Sequence, residues 1–472
     1  MKIMLAVLAA SLMLASSSCS PGPEDSAVSR NAGGSGTVWT AGYGQVELIP
    51  PDMETNTYWI AGYGVDKAIT GVLDYQMAKA LWLDDNSGRG GIVIVVVDCI
   101  GLLHSDVEKI RGMLAAFTKE TGCRLINIIS THTHAGADTL GLWGPIGVSG
   151  RSPEFMRVVY DGVVGAVRAA YDSRQDGRLF YGAAVTEGIQ RDSRPPEVFD
   201  PALHSLRFVP DGSGGGIRII NYAAHPEALG SGNTRISADF PAYMASRIKE
   251  VSGDDAIYIP GAIGGLIATR RMLNDDGEEL SVLDSTVVTG LRLADYALGI
   301  TNESELAPDL VVYSKEVVLP VDNNVYVIST FLGTLETKTL PRGGRHRLSM
   351  VTEAGLLKLG GLPIFLVPGE LFPELAYGGA TGNTALNPVT LAGIAGEAFL
   401  IFGLCNDEIG YIVPPSDFFL HESYPYLRRG VDATGRSHYE ETNSVGPLTA
   451  PLVIGALEEL VRQEFTLGKG NK

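Results

Sequence analysis

The pattern of apolar and polar positions becomes regular from residue 91 onward. Gly91 to Cys99 is a continuous, β-branched apolar run, which predicts a strand buried on both faces. Ser105 and Glu108 then stand at capping-box spacing, ahead of a helix whose Val107, Ile110, Leu114 and Phe117 share one stripe. Leu125 to Ile129 is the next buried strand, and the chain leaves it through Thr131-His132-Thr133-His134. Ser152 as N-cap and Pro153 at the first helical position predict a helix reaching about Tyr171. Strand-like runs follow at Leu179–Val185 and Ile217–Tyr222, the second shortly before His225. Ile364–Val367 leads into Pro368-Gly369-Glu370, and Phe399–Phe402 leads into a loop with Asn406, Asp407 and Tyr411. A last helix is expected over Leu448–Gln463. The tetrapeptide Ala-Gly-Tyr-Gly occurs at 41–44 and 61–64, and its glycines read as turn positions. No linker-like stretch interrupts 38–468. The pattern predicts an α/β fold: a single large mixed-sheet domain over 38–472, with helices packed on it and some antiparallel strands.

Composition narrows the function. The chain has 472 residues, 45% apolar and 19% charged, which suits a globular protein with a large core. A formal net charge of −18 argues against a nucleic-acid partner and against simple adsorption to anionic lipid. At the N-terminus, Lys2 precedes an apolar run from Ile3 to Ala15, then Ser16, Ser17, Ser18 and Cys19. That run is too short for a membrane span and reads as a signal peptide over 1–19. Cys19 after small residues predicts a bacterial lipoprotein acylated at that cysteine, although Ser16 replaces the usual leucine. The expected location is therefore periplasmic or cell-surface, with membrane association through Cys19, or otherwise secreted. Residues 20–37, rich in Ser, Gly and Pro, read as a flexible tether. Cys99, Cys123 and Cys405 allow at most one bridge, so a disulfide framework does not stabilise the fold. Cys99 and Cys123 are expected to be buried thiols.

The chemistry lies at the strand ends. His132, His225, Glu370 and Tyr411 each follow the carboxyl end of a separate β-run, where α/β sheets place their ligand crevices. His-x-His at a strand exit lets both rings face one cavity, though it also suits a pair of loop histidines. A metallo-β-lactamase pattern would need Asp two residues after the second His, but Ala135, Gly136 and Ala137 precede Asp138. An amidohydrolase barrel would carry the pair on its first strand, earlier than it occurs here.

The segment Ile129-Ser130-Thr131-His132-Thr133-His134-Ala135-Gly136 resembles the Thr-His-Thr-His-Ser-Gly signature of neutral/alkaline non-lysosomal ceramidases. Further likenesses follow in order. Asn221-Tyr222-Ala223-Ala224-His225-Pro226 is similar to the family's second histidine segment, and Val367-Pro368-Gly369-Glu370 to its Pro-Gly-Glu motif. Asn406 through Tyr411 and Tyr439-Glu440 resemble its Asn-x-x-x-x-Tyr and Tyr-Glu-Gly block, and Gly42 to Pro51 its opening strand. The likeness spans about 40–465. It implies a Zn²⁺ hydrolase in which zinc-bound water attacks an amide of an N-acyl lipid or related molecule. The implied zinc ligands are His132, His225, Glu370 and Tyr411, with Glu370 also open to a general-base role. His134, Arg191 and Tyr439 are the implied catalytic residues. His134 would serve the oxyanion or the leaving amine, and Tyr439 the scissile carbonyl. Arg194 is near enough in sequence to exchange roles with Arg191, and Asp98 and Asp239 could orient ligands, with Asp239 equally suited to cap a helix.

Two departures stand out. The family's Gly-Asp-x-Ser-Pro-Asn segment aligns with Gly264-Gly265-Leu266-Ile267-Ala268-Thr269, which lacks both the acid and the serine. The immunoglobulin-like domain of longer ceramidases is also expected to be missing. These leave two alternatives in play: an exported metalloesterase or lactonase using the same site, and a catalytically inactive ceramidase-like surface lipoprotein.

Overall fold

The structure, a computed structural model, describes residues 36–342, 348–396, 398–432 and 434–469. The expected signal peptide, Cys19 and nearly all of the tether lie outside the described residues. The expected mixed α/β architecture is observed, with its main strands divided between two stacked sheets. The first contains β1 (Trp39–Leu48), β2 (Gln76–Asp84), β3 (Ile92–Val97), β4 (Leu125–Ser130), β5 (Gln175–Val185), β6 (Ala202–Pro210), β7 (Ile217–Tyr222), β8 (Asp255–Pro260) and β9 (Ser304–Leu306). Its order is β8-β7-β6-β5-β1-β2-β3-β4, with β9 also paired to β5. The second contains β10 (Leu310–Pro320), β11 (Thr339–Pro341), β12 (Leu348–Leu359), β13 (Leu362–Leu366) and β14 (Leu400–Phe402), ordered β10-β12-β13-β14 with β11 beside β12.

Alternation explains the stacking. Along β3, Ile92, Ile94 and Val96 enter the layer between the sheets, while Val93, Val95 and Val97 face the helices. Leu357, Leu359, Ile364, Leu366 and Phe402 meet the first set from the second sheet. Three helices cover part of the outer face of the first sheet: α1 (His104–Met113), α2 (Ala115–Thr121) and α3 (Pro153–Asp172). The rest of that face lies under α4 (Phe240–Ser252) and α5 (Val282–Leu298). The C-terminal α6 (Thr449–Lys469) packs on β10 and β12, completing four layers. None of the described helices is long and apolar enough to cross a membrane.

Most parallel pairing sits where the candidate ligands emerge. β3 pairs with β4 so that Val97 faces Ser130; β7 pairs with β8 so that Tyr222 faces Pro260. In the second sheet β13 and β14 run parallel with Leu366 opposite Phe402. Just beyond them, the short strands Glu370–Leu371 and Tyr411–Ile412 pair in parallel with Glu370 directly opposite Tyr411. The carboxyl ends of strands from both sheets therefore open toward one crevice.

Two local expectations need correction. Helix α1 starts at His104, so Ser105 and Glu108 are inside it rather than forming its cap. Asp106 takes that part, its Oδ2 accepting from Leu103 N at 3.1 Å, while Tyr160 donates to its other oxygen at 2.6 Å. Ser105 instead donates to Glu336 O, and Glu108 pairs with Lys338. The first Ala-Gly-Tyr-Gly copy lies inside β1, not in a turn. A Cβ at Gly42 would come within 2.1 Å of Ala170 O, and one at Gly44 within 2.3 Å of Ala166 O. These glycines let the α3 backbone seat directly on the sheet. In the second copy Gly62 does adopt positive φ (105°), and nothing lies within 4 Å of a Cβ at Gly64.

The two copies therefore predict opposite responses. Gly44→Ala should lower the unfolding free energy by about 1–3 kcal/mol in urea titrations, since backbone atoms must yield, while Gly64→Ala should change it by less than about 0.5 kcal/mol. Equal effects would mean that α3 is not seated as described.

Candidate functional site

His132 sits two residues beyond β4 at φ +66°, a conformation that costs energy in any residue with a Cβ and is held by its surroundings. Its backbone N donates to Cys99 O at 2.9 Å, and its Nδ1 lies 2.6 Å from Ile100 O. A carbonyl can only accept, so Nδ1 carries the proton and Nε2 keeps its lone pair. His225 repeats the device. Its backbone N and its Nδ1 both donate to Ile267 O at 2.8 Å, leaving Nε2 facing Glu370 Oε2 at 2.8 Å. Glu370 Oε1 lies 3.7 Å from His132 Nε2, so one carboxylate spans both rings. The segment that departs from the ceramidase serine motif thus orients His225 through a backbone carbonyl, a service any side chain permits. Gly264 in that segment is sterically required: a Cβ there would meet Phe372 N at 2.6 Å and Glu370 O at 2.7 Å.

Burial pulls the His132 pKa down to about 3, so its imidazole is neutral, as metal binding requires. For His225 burial acts in the same direction, but the hydrogen bond and charge of Glu370 outweigh it and the net shift is upward. Candidate ligand atoms of His132, His134 and His225 all lie within 4.8 Å of one another. Donors about 2.0–2.2 Å from a tetrahedral zinc ion stand about 3.3 Å apart, so the 2.8 and 3.7 Å spacings around Glu370 fit such a group. Tyr411 OH lies 3.1 Å from Tyr439 OH. Burial, with the Glu370 charge, raises the Tyr411 pKa well above the phenolic range, so it would act as a phenolate ligand only if a cation reversed that balance.

His134 differs from its neighbours. Neither ring nitrogen has a hydrogen-bond partner, and burial with the nearby His225 lowers its pKa well below the usual range. Its Nδ1 stands 3.5 Å from Glu227 Oε2, which accepts from Tyr63 OH at 2.8 Å. Gly62 presses against the ring: a Cβ there would fall 2.5 Å from His134 Cγ. His132, His134, Glu370, Tyr411 and Tyr439 line one pocket of about 250 Å³ whose other walls include Leu140, Leu142, Trp143, Leu335 and Met350.

The remaining residues separate. Arg191 is exposed and lies in an adjoining depression, with Tyr63 as the shared wall. Arg194 is buried and does not line the pocket. Its guanidinium meets Asp417 at 3.0 Å, Glu441 at 3.0 Å and Glu440 at 3.2 Å, so it has no freedom to exchange roles with Arg191. Asp239 caps α4 by accepting from Phe240 N, and it also accepts from Ala228 N and Leu229 N, bracing the loop after His225. Burial raises its pKa to about 7. Asp98 accepts from Met77 N, and burial raises its pKa to about 6. Sequence reasoning missed Tyr63, Glu227 and Glu408. Glu227 is two residues after His225, a signal in hindsight. Glu408 lines the pocket with one carboxyl oxygen unpartnered, its pKa pushed well up by burial and then by Glu370 and Asp407.

Fold and site define a mixed α/β protein with a histidine–carboxylate cluster at its strand ends, in a pocket with apolar walls. The chain is 24% identical over 329 residues to neutral ceramidase of Drosophila pseudoobscura pseudoobscura, which is 59% of this chain and 46% of that protein. It is 22% identical over 318 residues to neutral ceramidase of Drosophila melanogaster, 56% of this chain and 44% of the relative. The chain thus spans about half the length of the curated relatives it matches. Neutral ceramidase from Pseudomonas aeruginosa superposes with a TM-score of 0.69 at 17% identity, covering 90% of this chain and 74% of that one. A ceramidase complexed with C2 gives 0.68 at 16% identity, over 90% and 75%. No protein-family model matches the chain. The chain is similar in sequence to these neutral ceramidases over part of its length and has the fold of the solved ceramidase structures.

The two arginines should respond differently to truncation. Arg194→Ala leaves three buried carboxylates without their cation and should cost about 3–5 kcal/mol in urea unfolding, whereas Arg191→Ala should stay within about 0.5 kcal/mol of the parent.

Proposed function

We propose that this chain is a zinc-dependent hydrolase that cleaves the amide bond of an N-acyl lipid or related amide. The observation that carries the reading is the convergence of His132, His225 and Glu370, with both imidazoles fixed by Nδ1–H bonds so that Nε2 faces the carboxylate. His132, His225, Glu370 and Tyr411 would hold the ion. Zinc supplies Lewis acidity toward a carbonyl and activates water near neutral pH.

The chain's own residues do the rest. His134, neutral and without a hydrogen-bond partner, is placed to move a proton between the attacking water and the departing amine. Glu227, braced by Tyr63, faces Nδ1 and biases the ring so that Nε2 serves the reaction. Tyr439 presents its hydroxyl beside Tyr411 to hydrogen-bond the scissile carbonyl oxygen. Leu140, Leu142, Trp143, Leu335 and Met350 receive an acyl chain and keep bulk water away. Loss of the family serine leaves this arrangement intact, because the segment acts on His225 through the Ile267 carbonyl. Residues 38–472 form the catalytic unit, and the preceding segment directs export, with lipidation at Cys19.

Metal analysis and a substrate panel test the reading together. Purified protein should hold about one equivalent of zinc, lost in His132→Ala and His225→Ala. His134→Ala should keep the zinc and lose at least about 100-fold in kcat on N-acyl amides. Less than about one-tenth equivalent of tightly bound zinc, unchanged by His132→Ala, would contradict the metal site. Cleavage of acyl esters without amides would replace the amide by an ester, and full zinc loading without any turnover would make the chain non-catalytic.

A further inference from the structure

Beyond Tyr63, on the far side of the wall made with Glu227, lies a second depression of about 670 Å³. Its charged lining is Arg191, Arg270, Arg271, Glu227 and Glu279. Three guanidiniums in one hollow are notable on a chain of net charge −18. They are placed together by a short ladder in which Gln190–Asp192 pairs with Ile267–Thr269, putting Arg191 opposite Ala268. Arg270 and Arg271 follow directly. The Arg270 backbone N donates to Ile189 O and its Nε to Gln190 O, which fixes the stem of the side chain and leaves its terminal nitrogens available. Among the described residues, none of the three forms an ion pair, and Glu227 already accepts from Tyr63 OH. The three guanidiniums outnumber the two carboxylates of the hollow, and an oxyanion accepting from two or more of them forms charge-assisted bonds.

The position gives this charge a use. The hollow shares Tyr63 with the reaction pocket, and Glu227 on its side stands 3.5 Å from His134 on the other. The apolar acyl-binding wall formed by Leu140, Leu142, Trp143, Leu335 and Met350 belongs to the reaction pocket alone. A molecule whose amide carbon lies at His134, with its acyl chain on that wall, directs its amine portion past Tyr63. We propose that the hollow is a subsite for an anionic group, a carboxylate or a phosphate, on the amine portion of the substrate. This rests on the amide-hydrolase reading and makes its substrate class an N-acyl amide with an acidic head. Arg270 and Arg271 directly follow the Gly264–Thr269 segment that lacks the family's acid and serine.

Three substrates with one acyl chain test it: N-dodecanoylethanolamine, N-dodecanoylglycine and N-dodecanoyl-O-phosphoethanolamine. The wild-type protein should favour at least one acidic amide over the neutral one by about tenfold in kcat/KM, and the better acidic substrate identifies the anion. Arg270→Gln/Arg271→Gln should abolish the preference while keeping the neutral amide within about twofold. Arg271→Gln alone, at a side chain with no hydrogen bond to the ladder, should reduce it in the same direction. Equal rates on acidic and neutral amides, or a preference unchanged in the double variant, would overturn the proposal. If none of the three is cleaved, the amide-hydrolase reading fails, and calorimetry with N-dodecanoylglycine decides the subsite alone. Binding weakened about tenfold by the double variant then supports it, and unchanged or absent binding overturns it.

Discussion

Two hydrogen bonds from imidazole Nδ1 atoms to backbone carbonyls govern this site. Ile100 O accepts from His132 and Ile267 O from His225, so both rings turn Nε2 toward Glu370. Neither bond is local in sequence, since they join positions 32 and 42 residues apart. The first requires β3 and β4 to lie parallel in register, and the second requires the Ile267–Thr269 strand to be held against Gln190–Asp192. The positive φ of His132 is tolerated because its backbone N is tied to Cys99 O at the same time.

The four-layer packing gives these bonds their strength. Apolar side chains from both sheets fill the middle layer, and the strand ends above it are buried with them. Low local polarity keeps His132 and His134 neutral, which suits one for metal binding and the other for proton movement. The same environment makes a lone carboxylate costly there. Glu370 is accordingly shared between two imidazoles, and the neighbouring Glu408 carboxyl is held toward its protonated form. A divalent cation among these groups would offset the concentration of negative charge and stabilise the Tyr411 phenolate.

Much of this was legible because the strands are strongly patterned. The apolar runs located β3, β4, β7 and β14 close to their observed bounds. Ser152 and Pro153 fixed the start of α3, with Ser152 Oγ accepting from Phe155 N. The location of four polar residues after four strand ends was visible too. What stayed hidden depended on contacts far apart in the chain. Periodicity cannot tell which sheet a buried strand joins, so the two stacked sheets read as one. Gly42 and Gly44 looked like turn residues because the close approach of α3 leaves no mark near them. Arg191 and Arg194 were indistinguishable until Asp417, Glu440 and Glu441 were seen around the second. Tyr63 and Glu227, 164 positions apart, meet only in the folded chain.

The central claim is that His132 and His225 are non-adjacent ligands of one zinc ion, completed by oxygen donors. Zinc K-edge X-ray absorption of the purified protein tests it most directly. Two imidazole nitrogens at about 2.0–2.1 Å and oxygen donors at about 2.0–2.2 Å are expected, with no sulfur shell. A sulfur shell near 2.3 Å, or a zinc shell without imidazole nitrogens, would contradict it.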